Sequence, residues 1–468
     1  MISTSDNNTG NYTVGDKDLD NIQHIAGKRI VDLMSISGNE LWLFPLEKNR
    51  YGDKIENKTV FTLEGKKLTT GNIMGFIGYG GTEITIHSRF SSKYEDDFFM
   101  QYLLQKVFSI NIFDLNHRTS KDRALDMAFL LFPYFLQKAI LQGLYREYRQ
   151  IEYNDDRVRG TIDFNRHIKL NYPFKNGKIA YITREYQYDN SITQLVRHTI
   201  EHIKTVKHSS YILFANNDIK SYVQTIVDAT PTYRKGDLDK VIAQNIRPKI
   251  HPYYSEYWPL QRLCLQILRH KRISYGHNSD VIHGVLFDGA WLWEEYLKIT
   301  MAKLGFTHPQ NKVPKGGIQV YSNHKGVLRY PDYIHPLIIA DAKYKRLYHD
   351  DENPLEVGVP RDDLNQMITY LHITQRNLGV FICPRDSFEY PIENGEPISE
   401  DSWGILYHRV GVLSGLGGEI HVISVNIPQN CPDYMSFYSR MRNVEESLER
   451  KLMKVISGID EDKTFSYA

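Results

Sequence analysis

Cysteine is scarce in this chain. Cys264, Cys383 and Cys431 are the only three, and no two are spaced as a CxxC pair. That excludes a disulfide framework and a cysteine-built zinc site, and it suits a reducing cytosol. An excess of charge of either sign is also missing: 57 basic residues face 56 acidic ones, for a net charge of +1. There is thus no global electrostatic footprint for nucleic acid, and any DNA contact must rest on local basic patches. Long apolar runs are absent too. The longest, Met127 to Leu136, is interrupted by Pro133. It is far too short for a membrane span. The first residues, MISTSDNNTGNYTVGDKDLDN, carry neither a basic stretch nor an apolar core, so no secretory signal is expected there. No GxxxxGK[ST] occurs, which excludes a Walker A phosphate loop within the chain. The expectation is a soluble, cytoplasmic protein.

What is present is a chain of 468 residues, 41% hydrophobic and 12% aromatic. That is enough for two or three domains with sizeable cores. Residues 1–20 are polar and rich in Asn, Asp, Thr and Gly, and composition predicts a disordered tail. Residues 21–92 read as β-rich, with short β-branched runs in ELWLFPLEK, TVFTLEGKKL and TEITIHSRF. In the last of these, alternation puts Ile84, Ile86 and Phe90 on one face and Thr85, His87 and Arg89 on the other. The GYGG at 78–81 reads as a hairpin turn. Residues 93–240 are mainly helical. They contain the Gly-centred RVRGTIDFNRHI and a strand-then-helix segment with Asn190 or Ser191 as its cap. Residues 241–445 alternate helices with a mixed set of strands, an α/β pattern, and 446–468 form a helix end and tail. The fold class expected is a multidomain α+β protein.

The stretch RYPDYIHPLIIADAKYKRL (329–347) carries the chemistry. Six [DE]xK tripeptides occur, and five lie in polar turns or charged helices, where a solvated surface is the plain reading. Only Asp341-Ala342-Lys343 ends an apolar strand with a Pro-Asp pair, Pro331-Asp332, just upstream. Asp341 and Lys343 are two apart and share a face of the strand. A hairpin between Tyr333 and Pro336 brings Asp332 beside Asp341. Two crowded carboxylates repel one another, and a hard divalent cation relieves that cost. The alternative is a surface ion pair of Asp341 with Lys343, with Asp332 as a turn residue. On the helix WLWEEYLKITMAKLGF, Glu294 falls at the rim of the apolar face and Glu295 opposite it, toward solvent. On RDDLNQMITYLHI, Gln366 and Tyr370 stack four apart, away from Leu364, Met367, Ile368 and Leu371.

Glu294, Pro331-Asp332, Asp341-Ala342-Lys343 and Gln366-x-x-x-Tyr370 together resemble the PD-(D/E)xK nuclease core of the group that carries a QxxxY helix. GFIGYGGTEITIHSRF, RVRGTIDFNRHI and ITREYQYDNSITQLVRHTI, in that order ahead of the core, resemble the McrC subunit of McrBC 5-methylcytosine restriction systems, including the LlaJI-like relatives. The resemblance spans about residues 25 to 425. It departs from the family at Thr161, which follows the glycine of the second block where arginine is more typical, and at Pro336, which opens the lysine strand.

The resemblance implies a mixed-sheet nuclease core and a DNA-cleaving subunit. Asp332 and Asp341 would hold Mg²⁺, with Mn²⁺ as a substitute, helped by the Ala342 carbonyl. Lys343 would activate the attacking water or stabilise the scissile phosphate. Glu294 would be an accessory ligand or position a water, and Gln366 and Tyr370 would brace the site or touch the phosphate backbone. The partners implied are double-stranded DNA and a separate AAA+ GTPase of the McrB type, with residues 21–240 docking on its ring and stimulating GTP hydrolysis. Lys345, Arg346, Arg269, Lys271 and Arg272 are the basic candidates for DNA contact; for the last three, complementing a helix C-terminus serves equally well. Two other readings stand beside this one: a self-sufficient nuclease with the same core, and a non-catalytic activator of a GTPase ring.

Overall fold

A computed structural model describes residues 2–36, 41–45, 55–91, 97–108, 120–174, 176–206, 210–214, 216–247, 251–273, 282–309, 316–323, 327–347, 358–386, 392–393, 396–397, 404–415 and 417–458. The fold is mixed α+β, and it divides into two compact units. Residues 1–116 and 279–468 form one, and 117–278 form the other. This division runs differently from the boundaries drawn on the sequence. The β-rich start and the C-terminal α/β region fall into a single unit.

The first unit begins with β1 (Ile2–Ser5), β2 (Thr9–Thr13), α1 (Asp16–Gln23) and α2 (Ile30–Ile36), then β3 (Leu41–Phe44), β4 (Phe61–Glu64), β5 (Lys67–Thr70), β6 (Ile73–Tyr79), β7 (Thr82–His87) and α3 (Phe98–Phe108). The expectation of a disordered start is therefore corrected. β1 pairs in parallel with β7, placing Ile2 opposite Ile84, and Ile2 and Val14 are both buried. Composition misses this because two anchoring apolar residues and a row of backbone hydrogen bonds suffice to order a polar segment. TVFTLEGKKL is not one run but a hairpin of β4 and β5 that turns at Gly65. The GYGG turn joins β6 to β7, with Tyr79 opposite Thr82 and both Gly80 and Gly81 at positive φ (58° and 87°). A two-residue hairpin turn demands that conformation. Ile84, Ile86 and Phe90 are buried, following the alternation of the sequence.

The second unit is built from α4 (Ser120–Leu141), β8 (Glu147–Asp155), β9 (Thr161–Ile162), α5 (Phe164–Asn171), β10 (Ile179–Gln187), α6 (Ser191–Thr205), α7 (Asn217–Ala229), α8 (Leu238–Asn245) and α9 (Tyr257–Ile273). Asn190 caps α6 in a reciprocal capping box with Thr193, satisfying amides that the first turn leaves without partners. The helices pack α4 on α9 and α6 on α8 and α9, while β8, β10 and β9 make a three-stranded sheet carrying α5.

The chain then returns to the first unit with β11 (His283–Asp288), α10 (Gly289–Lys303), β12 (Ile318–Gln319), β13 (Leu328–Arg329), β14 (Tyr333–Ile334), β15 (Ile338–Ala342), α11 (Arg361–Thr374), β16 (Leu378–Arg385), β17 (Ile392–Glu393), β18 (Glu396–Pro397), β19 (Ile405–Val412), β20 (Glu419–Asn426) and α12 (Tyr434–Ser457). β11 is a strand that the sequence pattern did not disclose. It enters the N-terminal sheet between β6 and β3, giving the order β1-β7-β6-β11-β3. The entry is tight: a Cβ on Gly75 (φ 122°) would lie 2.1 Å from the Val285 carbonyl oxygen. The second five-stranded sheet runs β14-β15-β16-β20-β19, parallel in its middle three strands and antiparallel at both edges. α11 packs on β15 and β16 through Met367 and Leu371. α3, α10 and α12 meet at Glu445, which accepts hydrogen bonds from Tyr102 (2.8 Å), Tyr296 (3.1 Å) and Lys106 (2.9 Å). The three cysteines are free, and no described helix is long and apolar enough to cross a membrane.

Candidate active site

β15 is a buried strand because Ile338, Ile339 and Ala340 pack inside the second sheet between β14 and β16. Its partner β14 runs antiparallel, with Tyr333 opposite Ala340. That register sets the residue before β14, Asp332, across from Asp341. Asp332 Oδ2 accepts a hydrogen bond from the Ala342 amide at 2.8 Å, which holds the carboxylate against the end of β15. Asp341 is 1% exposed, and its Oδ2 is ion-paired with the Lys343 ammonium at 2.5 Å.

The electrostatics follow from that crowding. Burial, then the charges of Asp341 and Glu294, push the Asp332 carboxyl well above the usual carboxylate range, against the pull of Lys343 and the Ala342 amide. Burial raises Asp341 as well, with Lys343 opposing. For Lys343, burial alone would lower the ammonium. The negative charges of Asp341, Asp332 and Asp363 outweigh it, and the group is held above its ordinary value.

Lys343 also donates to Gln366 Oε1 at 3.0 Å, and Gln366 Nε2 donates to the Tyr370 hydroxyl at 2.7 Å. The Tyr370 hydroxyl in turn reaches the Tyr330 carbonyl at 3.3 Å. Gln366 is exposed, whereas the Tyr370 ring lies in the core with Met367 and Leu371. The sequence put Tyr370 on the opposite face from that core. A ring buried along its length with its hydroxyl at the edge meets both demands. Burial, then Asp341, push the Tyr370 hydroxyl up to about 12.

Glu294 comes from α10 and lies 3.7 Å from His308 Nε2, while His308 Nδ1 bonds the Asp332 carbonyl at 2.7 Å. Tyr333 donates to the Glu294 carbonyl and so ties α10 to β14. Glu295 was expected in solvent. Its side chain is 25% exposed against 27% for Glu294, and it pairs with Lys298 at 2.9 Å. Helical spacing alone cannot separate two neighbours that both flank a histidine.

Asp363 was not anticipated. It is buried at the first turn of α11, 3.5 Å from Lys343, and it also pairs with Lys345. The signal was there: Asp363, Gln366 and Tyr370 follow steps of three and four and share a helix face. Arg346 forms a fork with Asp386. Lys345 and Arg346 are 41% and 43% exposed at their side chains. The side chains of Arg269, Lys271 and Arg272 lie outside the described residues. Among the described residues, no three His, Cys, Asp or Glu side chains form a ready metal cage. The acids at the strand ends are a pair, and Glu294 lies near enough for its charge to act on Asp332.

A buried acid pair and a lysine thus stand together at the end of β15 in the mixed sheet. The family model for McrBC 5-methylcytosine restriction system components matches residues 68–384. The chain belongs to this family, in line with the resemblance to McrC-type subunits. Two solved structures are similar to it. One is a refined half-complex from a tetradecameric assembly of Thermococcus gammatolerans McrB AAA+ hexamers with bound McrC, at 14% identity, a TM-score of 0.46, and coverage of 96% of this chain and 99% of that one. The other is the Thermococcus gammatolerans McrBC complex, at 14% identity, a TM-score of 0.32, and coverage of 64% of this chain and 87% of that one. Among curated proteins, none matches.

Proposed function

We propose that the chain is the DNA-cleaving, McrC-type subunit of a McrBC-like restriction system. It hydrolyses phosphodiester bonds with Mg²⁺, coupled to an AAA+ GTPase subunit whose GTP hydrolysis it stimulates. The observation that carries this reading is the register of β14 on β15. It sets Asp332 against Asp341 at one strand end, with Lys343 beside them and Gln366 on its far side. The mixed sheet bearing this edge, with α11 packed on it, is the architecture expected of a PD-(D/E)xK core.

The residues fit a hard cation. Asp341 is a buried carboxylate facing a second acid, Asp332, and the mutual repulsion of the pair is what a divalent ion beside Lys343 would relieve. Magnesium needs only one or two carboxylates besides water and phosphate, so the pair is sufficient. Asp332 and Asp341 would hold the ion with the Ala342 carbonyl. When bound, it supplies Lewis-acid polarisation of the phosphate and a lowered pKa for water. Lys343 places its positive charge where the scissile phosphate becomes more negative. Gln366 keeps that ammonium aimed, Tyr370 braces Gln366, and Glu294 positions a water or serves as an accessory ligand.

Membership of the McrBC family, with the sequence resemblance to McrC subunits, supports a GTPase partner. So does the surface of the second unit, where Phe164 (69%), Ile168 (53%) and Tyr172 (75%) are strongly exposed. Clustered apolar exposure of this kind is usual at sites that receive another protein. Lys345 and Arg346 are offered to the DNA backbone.

The test uses the full chain with an AAA+ GTPase subunit of the McrB type, methylated plasmid, GTP and Mg²⁺. Asp341→Ala should lower cleavage by at least about 100- to 1000-fold while GTPase stimulation persists. Undiminished cleavage would remove the site. Cutting by the chain alone would move the reading to a self-sufficient nuclease. Stimulation without any cutting by the unaltered chain would move it to a non-catalytic activator.

A further inference from the structure

Alternation puts Arg89, just past the end of β7, on the face of Thr85 and His87. Arg89 is turned inward, with its side chain 12% exposed, and it reaches the strand that bears the candidate lysine. Its Nη2 donates to the Tyr344 carbonyl, one residue past Lys343. Its Nη1 donates to Asn72 Oδ1 at 3.0 Å, and its Nε lies 3.8 Å from Asp6 Oδ2. The guanidinium carbon sits 4.8 Å from the centre of the Tyr344 ring. Ser88 and the Tyr344 hydroxyl are hydrogen-bonded at 2.7 Å, and a Cβ on Gly289 would come within 2.7 Å of the same ring. Tyr344 is therefore wedged between the N-terminal sheet and the start of α10.

The position matters because the ladder ends there. The last backbone bond from β15 to β16 is the Lys343 amide to the Ile382 carbonyl, at 2.9 Å. Beyond it the chain leaves the sheet. The Lys343 ammonium rides on a four-carbon stem whose direction is set by that backbone. A fixed hold on the next carbonyl decides where the stem starts. Arg89 supplies one that is charge-assisted.

We infer that Arg89 is a positioning residue of the cleavage site: from the N-terminal sheet, it fixes the main chain at Tyr344 and so directs the Lys343 ammonium. The inference rests on the nuclease reading of that site. Asp332 and Asp341 have other supports, namely β14 and the Ala342 amide, so the acid pair is independent of Arg89.

The experiment measures DNA cleavage by the full chain with its AAA+ subunit, alongside Mn²⁺ binding by the full chain. Arg89→Met keeps the aliphatic stem and removes the donor. It should lower kcat about 10- to 100-fold, with KM for DNA and Mn²⁺ affinity unchanged. Arg89→Lys should recover part of the loss, since an ammonium can still meet the carbonyl. Wild-type kcat in folded Arg89→Met would overturn the inference. So would a parallel fall in kcat, Mn²⁺ affinity and melting temperature with no recovery in Arg89→Lys, which marks a merely structural joint. If Arg89→Met does not fold, Arg89→Lys decides: reduced kcat with intact KM and Mn²⁺ affinity supports the inference, and unchanged kcat overturns it. If the unaltered chain cuts nothing, the nuclease reading falls first and this inference with it.

Discussion

The first unit buries carboxylates in two contrasting ways. In the helical layer, Glu445 receives two tyrosine hydroxyls and a lysine from α3 and α10. At the end of β15, Asp341 faces another acid, Asp332, and pairs with the Lys343 ammonium at 2.5 Å. The first arrangement is complete as it stands. The second sets two acids against the Lys343 ammonium, and a divalent ion is the further partner proposed for it. Buried charge left unanswered costs stability, and proteins keep it where something else is gained. Asp6 falls between the two. One oxygen accepts the Arg89 amide, while the other is buried 3.8 Å from the Arg89 guanidinium without a hydrogen bond.

This grading predicts opposite signs for similar substitutions. Glu445→Ala strands two hydroxyls and a lysine and should cost about 2–4 kcal/mol in a denaturant or thermal melt. A loss below about 1 kcal/mol would mean that the helical layer repacks around the gap. Asp6→Asn should act the other way and depend on pH. Burial pushes the Asp6 carboxyl from 3.8 up to about 7 despite Arg89. Its contribution to stability is thus fully present below about pH 4 and lost as the pH rises through about 7. Asparagine removes that loss. The variant should be more stable than the parent by roughly 1–3 kcal/mol near pH 8 and equal to it near pH 4. A gain that is flat with pH would point to packing instead.

Asp341→Asn should raise metal-free stability at neutral pH by about 1 kcal/mol, because the pair no longer repels itself. Added Mg²⁺ should stabilise the parent and leave the variant almost unmoved. Equal stabilisation of both would separate magnesium from Asp341. The smallest effect belongs to Glu64, which is exposed at the β4–β5 turn within another of the DxK-like tripeptides. Glu64→Ala should change stability by less than about 0.5 kcal/mol and leave cleavage intact.

Much of this was legible from local pattern. Two-residue periodicity gave the faces of β7, the Gly80-Gly81 turn gave its hairpin, and a capping residue marked the start of α6. The same parity put Asp341 and Lys343 on one side, and a short connection was enough to bring Asp332 opposite. What escaped was decided by partners distant in sequence. β1 looks disordered until β7 is beside it. His283–Asp288 is a short apolar run flanked by polar residues, and nothing in it announces pairing with strands near the start of the chain. Alternation gives Arg89 a face of its strand, but not its partner Tyr344, 255 residues away. Local periodicity reports on one element at a time, and joints between elements are invisible to it.

The slot filled by β11 has a consequence for synthesis. β6 and β3 flank a gap that only residues near 285 can close. A nascent chain emerging from the ribosome must hold those strand edges open while the whole 117–278 unit is made. Exposed edges are sites of mispairing, and long-range closure is slow. Vectorial folding should therefore complete the 117–278 unit first and lock the N-terminal strands last. Premature termination anywhere before β11 would release a product with an unsealed sheet.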